Sequence, residues 1–298
     1  MTQNTPDTDL ALRDVANAHS PPKIGQWVMR LLVCLILYSV VCSVAGNPNF
    51  GWPIVAHWFF ERSVLEGLGV TLGLSAIAMA IGVVLGLILA IARMSKDILI
   101  SSLANLYIWF FRGTPLLVQL IFWYNMSSLY PEVSIGIPFF GPTFYTWNTN
   151  DLITPMTAAI GGLALNEAAY MAEIIRGGLL SVDRGQIEAT EAFGMSRMHA
   201  LLRIILPQAM RSIIPPTGNQ FISLIKATSL VSVIAMSDLL YSVQTIYNRT
   251  FEIIPLLLVA VIYYLIVTSI LSIGQSFIER YYSKSDRNGN NTRPSSDN

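Results

Sequence analysis

Residues 64–92 read VLEGLGVTLGLSAIAMAIGVVLGLILAIA, and this run decides the fold. Glu66 is its one charged residue. A helix of about 20 apolar residues crosses the roughly 30 Å hydrocarbon core of a bilayer. The run therefore predicts a membrane-spanning helix.

The rest of the chain repeats this pattern. Of its 298 residues, 53% are hydrophobic and only 12% are charged, whereas about a quarter of the residues of soluble domains are charged. In lipid each span must satisfy its backbone hydrogen bonds internally, which favours helices. The sequence thus predicts an all-α, polytopic integral membrane bundle of about six transmembrane helices: Trp27–Gly46, Val64–Ala92, Leu99–Tyr124, Ile153–Ile175, Ile213–Ala235 and Pro255–Ile278.

The distribution of basic residues predicts the orientation of these spans. Cytoplasmic loops carry an excess of Lys and Arg, and the loops on the opposite side hold only Arg62 and Arg249. We therefore expect cytoplasmic tails at residues 1–26 and 281–298, with a first helix and an external loop at 27–63. The basic residues on the cytoplasmic side are Arg13, Lys23, Arg30, Arg93, Lys96, Arg176, Arg184, Arg197, Arg203, Arg211, Arg280, Lys284, Arg287 and Arg293.

The first span raises two further questions. Cys34 and Cys42 lie about 12 Å apart along one helix, which is too far for a disulfide. Ser43–Ala45 resembles a signal-peptide cleavage site, although a long preceding segment of mixed charge favours a retained helix. Whether this helix is kept or removed stays open at this point.

The most patterned polar stretch is Gly177–Ser212. Residues 186–193 predict a two-turn helix, Gly194 interrupts it, and Ser196 is placed to cap a second helix. The second helix should end at Leu206, because a proline disfavours helix in the residue before it. Such a pair of short helices either inserts into another protein or rests on lipid headgroups. The second helix has an apolar stripe of Met198, Leu201, Leu202 and Ile205.

Motifs in this stretch resemble the EAA signature of ABC importer permeases. The matching residues are Glu188-Ala189-Thr190, Gly194, Ile204 and Leu206-Pro207, with Thr190 where that family usually has alanine. Residues 111–119, 168–176 and 226–230 resemble the polar amino-acid branch, the histidine and glutamine permease type. The resemblance covers roughly residues 64–280.

This resemblance implies a type I ABC importer permease at 64–280, with a cytoplasmic coupling segment at about 181–212. It implies import of a polar amino acid, or a solute such as an opine or cystine, across a bacterial inner membrane. The implied partners are two ATPase subunits, which would bind ATP and magnesium, a second permease subunit, identical or different, and an extracytoplasmic solute-binding protein. The implied ATPase-coupling residues are Glu188, Ala189, Glu191, Gly194, Ile204, Leu206 and Pro207.

Other chemistry finds no support in the sequence. A P-loop needs a lysine directly after a glycine, and none of the four lysines follows one. The three histidines lack metal-ligand spacing, so no cofactor, metal or enzyme activity is expected in this chain. Topology accounts for the cytoplasmic basic residues, so membrane lipid rather than nucleic acid is the expected contact.

Two ionisable residues inside the spans are candidates for a transport pathway, because charges in a bilayer are costly. Glu167 and Lys226 should lie about 14 and 15 Å from the cytoplasmic surface. They would either receive the ammonium and carboxylate groups of an amino acid or neutralise each other across a helix interface.

Polar neighbours extend this candidate pathway. Asn166, Tyr170 and Glu173 share one helix face, as do Asn219, Ser223 and Lys226. These faces would line a pathway or form hydrogen bonds between helices. The candidate pathway residues are Gln119, Asn166, Glu167, Tyr170, Ser223, Lys226, Thr228 and Ser229.

The external segments Met126–Thr154 and Ser237–Glu252 are candidate docking surfaces for a binding protein. The first is rich in proline and aromatic residues, which also suit a membrane interface. The second offers Asp238, Arg249 and Glu252 as docking charges. A rival hypothesis is an ion-coupled secondary transporter that acts without an ATPase. That class often contains repeated halves, and no internal repeat is evident.

Overall fold

The computed structural model describes residues 24–136 and 143–290. Residues 1–23 and 291–298 of the predicted tails (1–26 and 281–298), and Pro138 and Pro142 of the outer segment, lie outside the described residues. The chain divides after Gly51 into two compact units.

The first unit contains helix α1 (Ile24–Gly46), followed by a short turn at Pro48–Phe50. Residues 25–46 of this helix are long and apolar enough to cross a membrane. Its large apolar side chains are exposed within the unit, from Trp27 to Val41. The first predicted span is therefore confirmed as a helix of the expected length.

The second unit contains the remaining elements. It has short helical turns at Met126–Ser128, Leu201–Ile205 and Thr228–Ile234. Its helices are α2 (Trp52–Phe59), α3 (Arg62–Arg93), α4 (Ile98–Gly113), α5 (Leu116–Tyr124), α6 (Thr149–Leu152), α7 (Pro155–Leu180), α8 (Arg184–Ala192), α9 (Arg197–Ala200), α10 (Leu206–Ala227), α11 (Leu239–Thr250) and α12 (Ile253–Asn290).

The described residues confirm a polytopic helical membrane protein. Three helices are long and apolar enough to cross a membrane, and this number rises to five if each of two bent helix pairs is one span. Helix α7, the fourth predicted span, is long enough at 26 residues but is not among the helices that are also sufficiently apolar. It instead lies at the centre of the unit, where most of its side chains are buried.

Small residues allow α3 and α7 to pack closely. Ala78, Gly82, Gly86 and Ala90 recur every fourth residue on α3, and all four are buried. A Cβ atom on Gly86 would lie 2.6 Å from the Met171 Cβ. Stripes of this kind let the backbones of membrane helices approach one another.

The third predicted span is not one continuous helix, and this prediction is corrected. Helices α4 and α5 meet at an angle of 102°. Thr114 is extended, with φ −111° and ψ 144°, because it precedes Pro115. Pro115 therefore breaks the predicted span into two helices.

A buried amide network holds this bend. The Gln119 side chain donates from Nε2 to the carbonyl oxygens of Phe111 and Thr114, at 3.0 and 3.1 Å. Asn166 of α7 donates from Nδ2 to the same Phe111 oxygen at 3.0 Å. These bonds satisfy backbone groups that the broken helix leaves unpaired.

The coupling segment, residues 181–212, forms two helical pieces as predicted. Asp183 caps α8, Gly194 adopts φ +67°, and the Ser196 hydroxyl accepts from the His199 amide. The predicted end of the second piece at Leu206 is wrong, because the chain continues as helix into α10. A π-helical turn at Leu201–Ile205, where the Leu206 amide bonds to the Leu201 oxygen, widens the backbone before Pro207.

A second correction concerns the outer connection. Asp238 was predicted as an exposed docking charge, yet it is fully buried. It caps α11 by accepting from the amides of Leu240 and Tyr241 at 3.2 and 2.9 Å. A buried carboxylate bonded to two backbone amides serves the helix rather than a binding partner. Arg249 remains exposed.

The outer segment also contains a feature that the sequence analysis missed. Strands β1 (Glu132–Gly136) and β2 (Thr143–Asn148) pair antiparallel, with Val133 opposite Trp147 and Ile135 opposite Tyr145. Both strands are short, and almost all of their residues are exposed. The sequence has only a weak strand-like alternation of side chains here, and its prolines and aromatic residues led to another interpretation of the segment.

Candidate functional site

A cavity of about 380 Å³ lies where α5, α7 and α10 meet. We call it the central cavity. Helix α7 presents three polar residues to it, and α10 presents two. Its lining is Leu116, Asn166, Glu167, Tyr170, Gln220, Ser223, Leu224, Ala227 and Leu230. Four predicted pathway residues, Asn166, Glu167, Tyr170 and Ser223, are thus brought together.

Glu167 is the charged residue of this cavity, and it is only 2% exposed. Its Oε2 accepts from Gln220 Nε2 at 3.1 Å. Within the described residues its Oε1 has no hydrogen-bond partner. A buried carboxylate normally has a counter-ion or a full set of donors. The Oε1 atom of this carboxylate is therefore a buried acceptor that lacks a partner among the described residues.

Lys226 does not supply the missing partner. Its side chain is exposed, and it forms no ion pair with any residue that the structure describes. The interpretation in which Glu167 and Lys226 neutralise each other is therefore not supported by the geometry. Gln220, six residues earlier on α10, occupies that place at Glu167 instead.

The remaining pathway candidates lie outside the cavity lining. Gln119 is 4% exposed and belongs to the network at the α4–α5 bend. The Thr228 hydroxyl is buried and donates to the Ile225 oxygen at 2.7 Å, and the Ser229 hydroxyl donates to the Lys226 oxygen at 2.8 Å. Each of these two hydroxyls thus bonds to a backbone oxygen three residues earlier. A pathway role for Gln119, Thr228 and Ser229 stays a prediction.

A second cavity, of about 530 Å³, lies beside the central one. Tyr170 lines both, and the Arg112 guanidinium lies 5.3 Å from the centre of its ring. Glu173 accepts from Arg93, from Arg112 at 3.2 Å and from Arg176 at 3.0 Å. We call these four charged residues the arginine cluster. The sequence analysis placed Glu173 on one helix face with Asn166 and Tyr170 and did not predict this cluster.

The coupling segment presents an exposed surface. Glu188, Ala189, Glu191 and Gly194 are all exposed. The apolar side chains of Phe193, Met198 and Leu202 are 85%, 59% and 53% exposed. Thr190 is only 5% exposed and its hydroxyl donates to the Ile187 oxygen. The EAA-like residues thus place their polar and apolar side chains on the outside.

The other end of this segment joins the core. Ile204 and Leu206 are half-buried, and Leu206 packs against the core cluster that includes Met171 and Ile213. Pro207 is exposed. Gln208 of α10 donates to Gln186 of α8 at 3.4 Å. One end of the segment is therefore exposed for a partner, while the other is anchored in the helical body.

In the two described stretches, no three side chains among His, Cys, Asp and Glu lie close enough to hold a metal ion. The apolar helices, the polar cavity among them and the exposed helical protrusion together define a subunit of a membrane transport system.

The family follows from comparison with known proteins. The model for the binding-protein-dependent transport system inner membrane component family matches residues 82–284. The chain belongs to that family, as the EAA-like motif indicated. It is a multi-pass inner membrane protein of a class that works with ATPase and binding-protein partners.

Named relatives agree with this assignment. The chain is 43% identical over 263 residues to the arginine transport system permease protein ArgU of Corynebacterium glutamicum, covering 87% of this chain and 81% of that protein. It is 39% identical over 223 residues to the probable amino-acid permease protein YxeN of Bacillus subtilis, covering 74% and 92%.

A solved structure agrees as well. The crystal structure of an amino acid ABC transporter with histidines contains a chain that is 36% identical, with a TM-score of 0.61, covering 74% of this chain and 95% of that one. The comparisons support an ABC permease subunit. They do not support the ion-coupled secondary transporter.

Proposed function

We propose that this subunit imports a polar amino acid with a cationic side chain, such as arginine, and that the central cavity holds the cation. The observation that carries the proposal is the buried Glu167 carboxylate, whose Oε1 lacks a partner among the described residues. The name of the arginine permease relative points to the same solute class.

The chemistry of the cavity favours a cation over an anion. Among the described residues that line it, only Glu167 is charged, and the other polar side chains are the neutral groups of Asn166, Tyr170, Gln220 and Ser223. A positive group within about 4–6 Å of a carboxylate stabilises the charged form of both. At about 380 Å³, the cavity falls within the usual range of small-molecule sites, about 300–1,000 Å³.

The energy for transport would enter through the coupling segment. The exposed residues Glu188, Ala189, Glu191 and Gly194, with Phe193 between them, offer a surface for a separate ATPase that binds ATP and magnesium. Ile204, Leu206 and Pro207 then join this surface to α10. Because α10 is one helix from Leu206 to Ala227, with Pro215 and Pro216 inside it, a movement at the segment would be passed along this helix to Gln220 and Ser223 in the cavity.

The wider assembly is part of the proposal. Both termini would face the cytoplasm, the permease domain would span residues 64–280, and a second permease subunit would complete the pathway. An extracytoplasmic binding protein would deliver the solute near β1 and β2. The chain itself would bind no cofactor and catalyse no reaction, since its role is to form and open the pathway.

The test compares Glu167→Gln with the unmodified protein in proteoliposomes that also contain the ATPase. Arginine uptake should fall about tenfold or more, because a charge-assisted hydrogen bond contributes about 1.5–3 kcal/mol. Uptake of the neutral amino acid glutamine, if present, should fall less. ATP hydrolysis without solute should persist, which shows that the complex is assembled.

Glu66→Gln is the matched control, because Glu66 is an exposed carboxylate paired with Arg62. It should leave arginine uptake unchanged. Unaltered arginine uptake by Glu167→Gln would reject the cation site. Uptake that proceeds without ATP in either protein would reject the coupling mechanism instead.

A further inference from the structure

The arginine cluster carries more positive charge than its own residues neutralise. Three guanidinium groups surround the single carboxylate of Glu173. The side chains are only partly exposed, at 25% for Arg93, 42% for Arg112, 33% for Arg176 and 23% for Glu173. Two positive charges in excess at a half-buried site call for an anion from outside the cluster.

The cluster lies at the ends of helices rather than in their middles. Arg93 is the last residue of α3, Arg112 is the penultimate residue of α4, and Arg176 lies four residues before the end of α7. In a spanning helix the positions of Arg93 and Arg176 lie near the headgroup level. Arg112 joins them at Glu173 from the end of α4, which spans a membrane only if it forms one bent span with α5. Trp109, which also lines the second cavity, is 70% exposed, and tryptophan favours that same depth.

The surface next to the cavity suits acyl chains. Leu99, Leu103 and Leu106 of α4 are 66%, 59% and 56% exposed. Asn105, Trp109 and Arg112 form a second stripe on α4, with the same spacing of four and then three residues. One helix thus carries both the apolar stripe and the stripe that lines the second cavity. A molecule with an anionic head and apolar tails could contact both the arginine cluster and the exposed leucines of α4. A free anion could contact only the arginine cluster.

We propose that the second cavity binds the phosphate group of an anionic phospholipid, with its acyl chains along α4. Guanidinium groups bind phosphate oxygens through paired N–H donors, and Arg112 is the most exposed of the three. Basic cavities between transmembrane helices are sites of this kind. The proposal depends on membrane insertion and not on which solute the subunit carries.

Native mass spectrometry of the purified chain tests this site. The probe is phosphatidylglycerol, titrated in mixed micelles against a phosphatidylcholine background. One phosphatidylglycerol should remain bound per chain at low molar ratios. Arg112→Gln should lower its apparent affinity about tenfold, because a charge-assisted hydrogen bond is lost. Arg211→Gln, an exposed arginine outside the cavity, should leave the affinity unchanged.

A second variant guards against simple misfolding. Glu173→Gln removes the one carboxylate of the cluster and should raise the affinity for phosphatidylglycerol severalfold, which a misfolded protein would not do. Equal retention of both lipids by the unmodified chain, or a decrease in Glu173→Gln, would overturn the proposal.

Competition identifies the source of the anion. Inorganic phosphate should not displace the lipid at equal concentration, since it lacks the acyl contacts. Displacement by phosphate would show a general oxyanion site and overturn the assignment to lipid. Displacement by arginine would assign the second cavity to the solute pathway through Tyr170, and would overturn it as well.

Discussion

Glu167 is buried because the helix that faces it has no side chain at that point. A Cβ atom on Gly82 would lie 2.8 Å from the Glu167 Cγ. One turn further along α3, a Cβ atom on Gly86 would lie equally close to atoms of Met171, Ala168 and Ala172 of α7. Single atoms at these glycines thus decide how closely α3 and α7 pack, and therefore where the cavity carboxylate lies.

At this scale we predict the effect of Gly86→Ala. The added methyl would lie 2.6 Å from the Met171 Cβ and 3.0 Å from the Ala172 nitrogen, so the helices must separate. The free energy of unfolding should fall by about 1–3 kcal/mol, as measured by thermal or denaturant unfolding in detergent. Gly73→Ala, with no atom within 4 Å of its Cβ, should be neutral or slightly stabilising. Equal effects at both positions would contradict this packing.

The coupling segment and α10 show how elements combine. Gly194, with φ +67°, turns the chain sharply between α8 and α9. The π-helical turn then passes the chain through Pro207 into α10. The exposed surface of the coupling segment is thereby joined directly to α10, the helix that contributes Gln220 and Ser223 to the central cavity.

We predict that Gly194→Ala impairs coupling more than stability. A left-handed conformation costs an L-residue about 1–2 kcal/mol, so α8 should reorient relative to α9. Arginine uptake should fall severalfold while the isolated chain keeps nearly its full thermal stability. Gly177→Ala, at a position without neighbours within 4 Å and without positive φ, serves as the control. Normal ATP-driven uptake in Gly194→Ala would show that this turn is not part of the coupling path.

For the whole molecule, the distribution of charge predicts which end of each helix faces the cytoplasm. Arg249, on the side with few basic residues, and Phe193, in the coupling segment, are both exposed. They should lie on opposite sides of the membrane, since α11 and α8 belong to opposite loops in the predicted topology. This arrangement is a consequence of the positive-inside rule.

Cysteine labelling checks this topology. Cys34 and Cys42 are first replaced by serine, and Phe193→Cys or Arg249→Cys is then introduced. A membrane-impermeant maleimide added to spheroplasts should label the Arg249→Cys protein and leave Phe193→Cys unlabelled. Inside-out vesicles should give the reverse pattern. Labelling of Phe193→Cys from outside would invert the topology and remove the coupling segment from the reach of an ATPase.

Some elements of this protein could be predicted from the sequence and others could not, for physical reasons. The apolar runs predicted spanning helices because lipid allows few alternatives. The EAA-like spacing predicted the coupling segment because its motif is local. Side-chain partners that lie far apart in the sequence were harder to predict, because no local pattern links them. Gln220, the actual partner of Glu167, was not among the predicted residues. Arg93 entered the sequence analysis only as a basic residue of the cytoplasmic side and Arg112 only within the motif 111–119, since no signal in the sequence linked either to Glu173.

By itself, the sequence determined that this chain is a multi-pass helical membrane protein, that it resembles an ABC permease and that Glu167 is a costly charge within a span. These properties depend on composition and short spacings, which the chain carries locally. Only the tertiary structure decided the break at Pro115, the burial of Asp238, the continuity through Pro207 and the meeting of three arginines at Glu173. Those outcomes depend on which residues meet in the folded chain, and short spacings in the sequence do not encode those meetings.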